Sequence, residues 1–422
     1  MNPLPRRAAI AVFLAFAFAY FLSALLRAVT ATLSPTLTQA FGLQARDLGL
    51  LAGGYFLGFA LTQLPMGRWL DEHGPRRVVL GFLALAVAGC LLFAWADSFG
   101  LLLAARVLGG IGVSACLMAP LTGYRRWFDA TAQLRANSWM LMTGSLGMIA
   151  ATLPVQWLLP VLGWRPLFVG LAALIAVSML FIAWKVPPWT ASTAATAATA
   201  AAPAAAAEPR ESLWRSYAPV WQNPYFRRMV PIGFFSYGGL VAVQTLWAGP
   251  WMVRVGGYSA NDAAVGLFWI NVTMLLTFWT WGLVTPALWR RAHTAEQLIQ
   301  RALPASFVVL AGLIAAGPAL GGLTTAGLAL FCLCCSVVSL AQPAVGMAFP
   351  SALAGRALSA YNLVIFAGVF VVQWGIGLIV DAIRAFGGDD VTAFRGALAV
   401  FLACCVASYL HFWLTAPDNA RS

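Results

Sequence analysis

Apolar stretches of roughly 20 residues recur along the whole of this 422-residue chain. Each can cross a hydrocarbon core of about 30 Å at a helical rise of about 1.5 Å per residue. Lipid offers backbone amides and carbonyls no partner, so such a chain is confined to membrane-spanning α-helices. Composition agrees: 61% of the residues are hydrophobic and 9% charged, where a soluble domain carries about 25% charged residues. The first stretch, residues 8–37, is longer than a signal-peptide core and leads straight into further spans, so it reads as a retained helix.

Apolar blocks bounded by charge or by Gly/Pro clusters predict about twelve spans. Their limits fall near 8–37, 47–70, 78–97, 100–122, 136–160, 164–186, 228–254, 263–286, 300–320, 324–348, 358–383 and 391–415. With the N-terminus inside, about 18 of the 25 Lys/Arg lie on the cytoplasmic side and about 5 outside, the bias that sets orientation. Both termini are then cytoplasmic, in the cell (inner) membrane. Residues 190–208 are a low-complexity run of Ala, Thr and Pro. Counting it as a span would put Arg290, Arg291 and Arg301 outside, so it reads as a cytoplasmic linker. After it, residues 213–228 mix Trp214, Tyr217, Trp221 and Phe226 with Arg215, Arg227 and Arg228, as an interfacial amphipathic helix would. The expected organisation is a six-helix bundle at 1–186, a linker with its amphipathic helix at 187–227, and a second six-helix bundle at 228–422.

Several function classes lose their footing. The seven cysteines all sit in apolar segments without metal-site spacing, and read as small packing residues. The net charge of +12 is spread between spans instead of forming one basic patch, so no nucleic-acid partner is expected. Lys185 is the sole lysine and no glycine-rich loop precedes it, which leaves no P-loop for ATP. A membrane-embedded enzyme would need a nucleophile with its base, or a metal pair; neither H-E-x-x-H nor G-x-S-x-G occurs. No cofactor and no catalytic residue is expected, and a single chain is taken to act as a monomer. A non-transporting sensor or assembly factor stays open, because scaffold alone does not set function.

After the second span the chain reads Gly67-Arg68-Trp69-Leu70-Asp71-Glu72-His73-Gly74-Pro75-Arg76-Arg77. This resembles the G-x-x-x-D-x-x-G-[RK]-[RK] signature of the major facilitator superfamily. The second half repeats it only partly, since residues 282–291 keep Gly282 and the basic pair but place Pro286 and Trp289 where the acid and second glycine would fall. Arg106, Gly110 and Gly112 are similar to the R-x-x-x-G-x-G segment of the fourth span of that family. Arg27, Leu33-Ser34-Pro35, Phe41-Gly42-Leu43, Gly58, Trp127-Phe128 and Arg135 look most like the organic-anion branch, the anion:cation symporters, and somewhat like the organophosphate exchangers. The glycine-proline motif of drug/proton antiporters is missing after Gly144 and Gly147, which argues against a drug or metabolite exporter, the main alternative. The resemblance implies a transporter of twelve helices working by alternating access. Independently of it, the glycines of the loop, Gly67 and Gly74, permit a tight turn, and Asp71 with Arg76 and Arg77 makes a charge cluster suited to latch the cytoplasmic face.

All thirteen Asp/Glu fall in loops or at span ends, and His73, His293 and His411 also lie outside the span centres. The ionisable side chains left at depth are Arg27 and Arg106, and arginine without a matching acid suits an anion. Arg27 is expected near the bilayer midplane, where the insertion scale charges it at least ~2.5 kcal/mol. Tyr20, Ser23, Arg27, Thr30 and Ser34 share one helical face and are expected to line a wet cavity. The alternative for Arg27 is a packing role with its donors on backbone carbonyls; Arg106 could instead snorkel to water. Weaker stripes are Ser138, Met142, Ser145, Thr152 and Gln156 in the fifth span, and Tyr237, Gln244, Trp247 and Trp251 in the seventh; Asn362 and Gln373 share a face in the eleventh. The candidate substrate contacts are thus Arg27, Tyr20, Thr30, Arg106, Gln244, Trp247, Asn362 and Gln373. With no titratable acid or histidine at depth, exchange, uniport or symport through polar groups fits better than proton coupling.

Overall fold

The computed structural model describes residues 4–189, 213–290 and 294–415, and they form helices joined by short turns. The helices are α1 (Arg6–Phe41), α2 (Ala45–Leu61), α3 (Gln63–Trp95), α4 (Phe99–Trp127), α5 (Ala130–Ala150), α6 (Leu153–Leu162), α7 (Trp164–Lys185), α8 (Leu213–Gln222), α9 (Pro224–Arg254), α10 (Ala260–Arg290), α11 (Ala295–Ala316), α12 (324–347), α13 (Ser351–Ala385) and α14 (Asp390–Leu414). Nine helical runs among the described residues are long and apolar enough to cross a membrane. The pair α5 and α6, bent by 42° at Thr152, supplies a further broken span. The 17-residue α2, and the division of Ala295–Met347 into α11 and α12 at a turn holding Gly317 and Gly321, account for the rest of twelve. We call the face that carries the N-terminus and α8 the near face, and the opposite one the far face.

Three local readings are corrected. The loop at 71–77 is a kink inside α3: helical geometry breaks only at Gly74 (φ 76°, ψ 161°), a conformation open to glycine, and resumes at Pro75. The amphipathic segment expected at 213–228 ends at Gln222, because Asn223 accepts from the Tyr225 and Phe226 amides and starts α9 there. Arg227 and Arg228 therefore belong to the seventh span. The fifth span is continuous in sequence pattern but broken in space, since Thr152 leaves helical geometry and spends its hydroxyl on the Ile149 carbonyl. The low-complexity run at 190–208, and with it most of the expected 187–227 linker, lies outside the described residues.

Two bundles of six helices meet along α2 against α13 and α1 against α9. Glycine makes close crossings possible both between the bundles and, at α4 on α2, within the first of them. A Cβ on Gly49 would stand 2.3 Å from the Gln373 carbonyl oxygen, and one on Gly110 would stand 1.9 Å from that of Tyr55. In a membrane, where water gives no drive between apolar helices, such backbone approach is what holds helices together. Gly110→Val is expected to separate α4 from α2 and to lower the thermal-unfolding midpoint of the purified protein by several degrees, overpacking of this kind costing about 1–3 kcal/mol. A midpoint equal to that of the parent protein would contradict the contact. The five buried cysteines fill the bundles, and two of them place thiols 3.6 Å from backbone carbonyls, Cys335 at Ser236 and Cys405 at Phe235.

Candidate functional site

Arg27 lies midway along α1, at the meeting of the two bundles, and keeps partial exposure. The other members of its stripe do not: Tyr20, Ser23, Thr30 and Ser34 are all buried. The expected wet face is packed because α5 presses Gly144 onto the Tyr20 ring and Gly147 onto the Phe21 carbonyl, while Ser34 returns its hydroxyl to the Ala31 carbonyl. Around the guanidinium stand aromatic groups. Its carbon is 5.8 Å from the Phe59 ring centre, the Tyr20 and Tyr55 hydroxyls face it, and Tyr237 of α9 comes close enough to interact with both Arg27 and Tyr20. Phe366 of α13 packs on Phe59 with ring centres 4.4 Å apart. Tyr237 and Phe366 also keep partial exposure, so the open side of this cluster is walled by both bundles. Among the described residues no carboxylate pairs with Arg27 or Arg106; the ion pairs there belong to Arg46, Arg68, Arg254 and Arg384.

Arg106 neither reaches water nor joins this space. It is 3% exposed, donates from Nη1 to the Leu26 carbonyl at 2.9 Å, and lies over the Tyr55 ring at 4.9 Å. Tyr55 in turn donates to the Ser23 carbonyl at 3.2 Å. These bonds tie α2 and α4 to the turn of α1 that carries Arg27, and so give Arg106 the carbonyl-bound packing role that the sequence had left open for its neighbour.

The amide candidates are largely paired with one another. Gln244 donates to Asn271 at 2.9 Å, Gln373 to Thr245 at 3.1 Å, and the Trp247 indole to the Gln373 carbonyl at 3.1 Å; all three candidates are buried. Asn362 accepts from Gln342 at 2.6 Å and remains partly exposed. Thr30 has no side-chain partner toward the aromatic cluster and is buried in α1. The helical stripe drawn through Tyr237, Gln244 and Trp247 fails for a geometric reason. Residues Ile232–Tyr237 and Val243–Trp247 are π-helical, and each wider turn rotates the following side chains away from a 3.6-residue register. Trp247 is thereby brought to Gln373 at the α2–α13 crossing, on the far side of Arg27.

That far side is closed. The Asp381 carboxylate of α13 accepts the Ala45 and Arg46 amides at 3.1 and 2.8 Å, so one bundle caps the first helix turn of the other. Arg384 pairs with Asp381 at 3.4 Å and Asp390 at 2.7 Å, and Arg254 reaches Asp390 at 3.5 Å. Above this closure, a pocket of about 260 Å³ lies between Ser34, Thr38, Leu48, Trp247 and Arg254. None of this was visible in the sequence, where Asp381 and Arg384 read as ordinary span-end charges; their three-residue spacing is the one available signal.

On the near face, Gly74 sits against the Trp189 side chain and Arg76 donates to the Ala183 carbonyl at the end of α7. Gly67 has open space where a Cβ would be, and Arg77 is exposed. Asp71 is exposed too, and the ion pair at this turn is Arg68 with Glu72 at 2.7 Å. The basic pair expected in the second half extends to Arg291, which lies outside the described residues. Helix α8 packs on protein through one side: buried Tyr217 donates to the Leu64 carbonyl at 2.9 Å, and Arg356 donates to the Ser216 carbonyl at 3.2 Å.

The family model described as Major Facilitator Superfamily matches residues 16–373. The chain belongs to this superfamily. Solved structures agree on the fold: a bacterial homologue of the human lysosomal transporter Spinster, in an inward-facing and unoccupied conformation, superposes with a TM-score of 0.75 at 16% identity over 98% of both chains. A D-xylose-proton symporter gives 0.75 at 15% identity over 97% of this chain and 98% of its own. Among curated relatives, a probable sulfoacetate transporter of Cupriavidus necator is 22% identical over 58% of this chain and 57% of its own length. A 4-hydroxybenzoate transporter of Acinetobacter baylyi is 28% identical over 37% of this chain and 34% of its own length. A multidrug transporter of Yersinia pestis is 27% identical over 42% of this chain and 39% of its own length. These alignments therefore span less than two thirds of the relatives they match. The superfamily membership sets aside the membrane-embedded enzyme.

Proposed function

We propose that this multi-pass membrane protein carries a small organic anion by alternating access, with Arg27 as the charge that receives it. One observation supports this most: at the junction of the two bundles stands a partly exposed guanidinium with no carboxylate in reach among the described residues. A permanent cation there favours an anion and repels a cationic drug. The halves, 1–186 and 228–422, rock about this point, and the organisation needs only one chain. With both termini in the cytoplasm, the far face is external and closed by Asp381, so the described conformation opens inward. Exposed, unlatched Asp71 suits that state, and its latch with Arg76 and Arg77 would engage when the near face closes.

The carrier runs on exchange or on the substrate's own gradient, because no acid or histidine lies at depth to take up a coupled proton. The test is counterflow in proteoliposomes preloaded with carboxylates, sulfonates or phosphates in turn. Trans-stimulated uptake of an organic anion is expected; for carboxylates and sulfonates, which stay ionised throughout, it should change less than about twofold between pH 6 and 8, because the sequence places no acid or histidine at depth. Uptake of cationic or neutral solutes alone would overturn the reading; binding without counterflow would instead favour a sensor.

A further inference from the structure

We infer that the cargo is a monovalent anion with a flat aromatic body, an arenecarboxylate or arenesulfonate, and not a polyhydroxylated or divalent acid. The inference rests on the anion-carrier reading and adds to it the chemistry of the walls. Charge comes first. One guanidinium faces the space; the second arginine at this depth is buried away from it, bonded through Nη1 to the Leu26 carbonyl and stacked on the Tyr55 face, with its Nε and Nη2 unpartnered inside the protein. A dianion would leave one negative charge unpaired in a low-dielectric site, which is far costlier than leaving it in water.

The body follows from what the polar side chains are doing. A sugar acid brings a row of hydroxyls, each needing a partner once it leaves water. The amides that could serve are buried, with their NH₂ groups engaged: Gln244 with Asn271, Asn271 with the Leu267 carbonyl, and Gln373 with Thr245. What is partly exposed beside Arg27 is aromatic, namely Phe366, which packs on buried Phe59, and Tyr237, a ring that carries a hydroxyl. Phe59 and Phe366 meet at 52° between ring planes, an arrangement that a third ring can extend by edge or offset contact. Partly exposed Gln342 and Asn362 share one hydrogen bond and keep an amide oxygen and an NH₂ group free. Asn362 lies one helical turn from Phe366, so this pair can meet one polar substituent on the ring but not a chain of hydroxyls.

Binding to the full-length protein in nanodiscs, read by titration calorimetry, tests this with benzoate, benzenesulfonate, benzene-1,3-disulfonate and gluconate. At least one of the two monovalent aromatic ions is expected to bind ten times or more tighter than the disulfonate and gluconate. Arg27→Gln should remove that binding, and Phe366→Leu, which keeps apolar volume against Phe59 but not the ring, should weaken it severalfold. Gluconate or the disulfonate binding as well as the aromatic monoanions would overturn the inference and leave the anion reading standing. Binding of benzyl alcohol or benzylamine with none of the four anions would overturn both.

Discussion

Arg27→Ala is expected to abolish counterflow of the anion, and Arg27→Lys to keep only a small remainder of it. Truncating one partner of a desolvated, hydrogen-bonded charge pair costs about 2–5 kcal/mol, or about thirtyfold to a few thousandfold in affinity. Lysine restores the charge but not the planar fork that grips a carboxylate or sulfonate through two parallel donors. The same substitutions should leave folding intact or improve it, because the side chain stands in the membrane with a buried Nε that no protein group accepts and is costly to insert. Activity and thermal stability therefore separate: transport falls while the unfolding midpoint holds or rises. Transport at parental rate in Arg27→Ala would remove the basis for an anionic cargo, and a collapse in stability would mark the residue as a packing device.

Asp381→Ala should loosen the far face. The carboxylate is 13% exposed and accepts two amides from α2 as well as Arg384. Hydrogen bonds to a charged group contribute about 1.5–3 kcal/mol each when buried, and less at an edge that solvent reaches. A loss of about 1–3 kcal/mol moves the ratio of closed to open far faces by about five- to 150-fold. Cysteine introduced at Ser34, buried on the inner wall beside Trp247, is the reporter: its labelling by an impermeant thiol reagent should accelerate in the Asp381→Ala background. Asp381→Asn should lie in between, since an amide oxygen still accepts but carries no charge for the helix end. Unchanged labelling in both variants would place the closure elsewhere.

Much of the architecture was legible because membrane spans are written in composition. Length and charge gave nearly every crossing, and the spaced glycines and basic pair after the second span gave the family. The breaks were less legible. Pro154, which has no N–H for the Ala150 carbonyl, is the one sequence signal of the 42° bend between α5 and α6, and two π-helical turns in α9 defeat any projection that assumes 100° per residue. For the site, the absence of acids at depth singled out Arg27, yet the partners that define its surroundings, Phe59, Phe366 and Tyr55, are hydrophobic or buried aromatics indistinguishable in sequence from core. Polar residues were overvalued for the opposite reason: Gln244 and Gln373 look like ligands until their side chains are found bonded to Asn271 and Thr245. In a bilayer, pairing between helices is the commoner fate of an amide.

Helix α8 has one further implication. It touches the first bundle through Tyr217 on Leu64 and the second through Arg356 on Ser216. Asn223 alone separates it from α9, so in any rocking of the halves this short rod is expected to travel with the second bundle, and the Tyr217 bond to the first is the grip that such motion would strain.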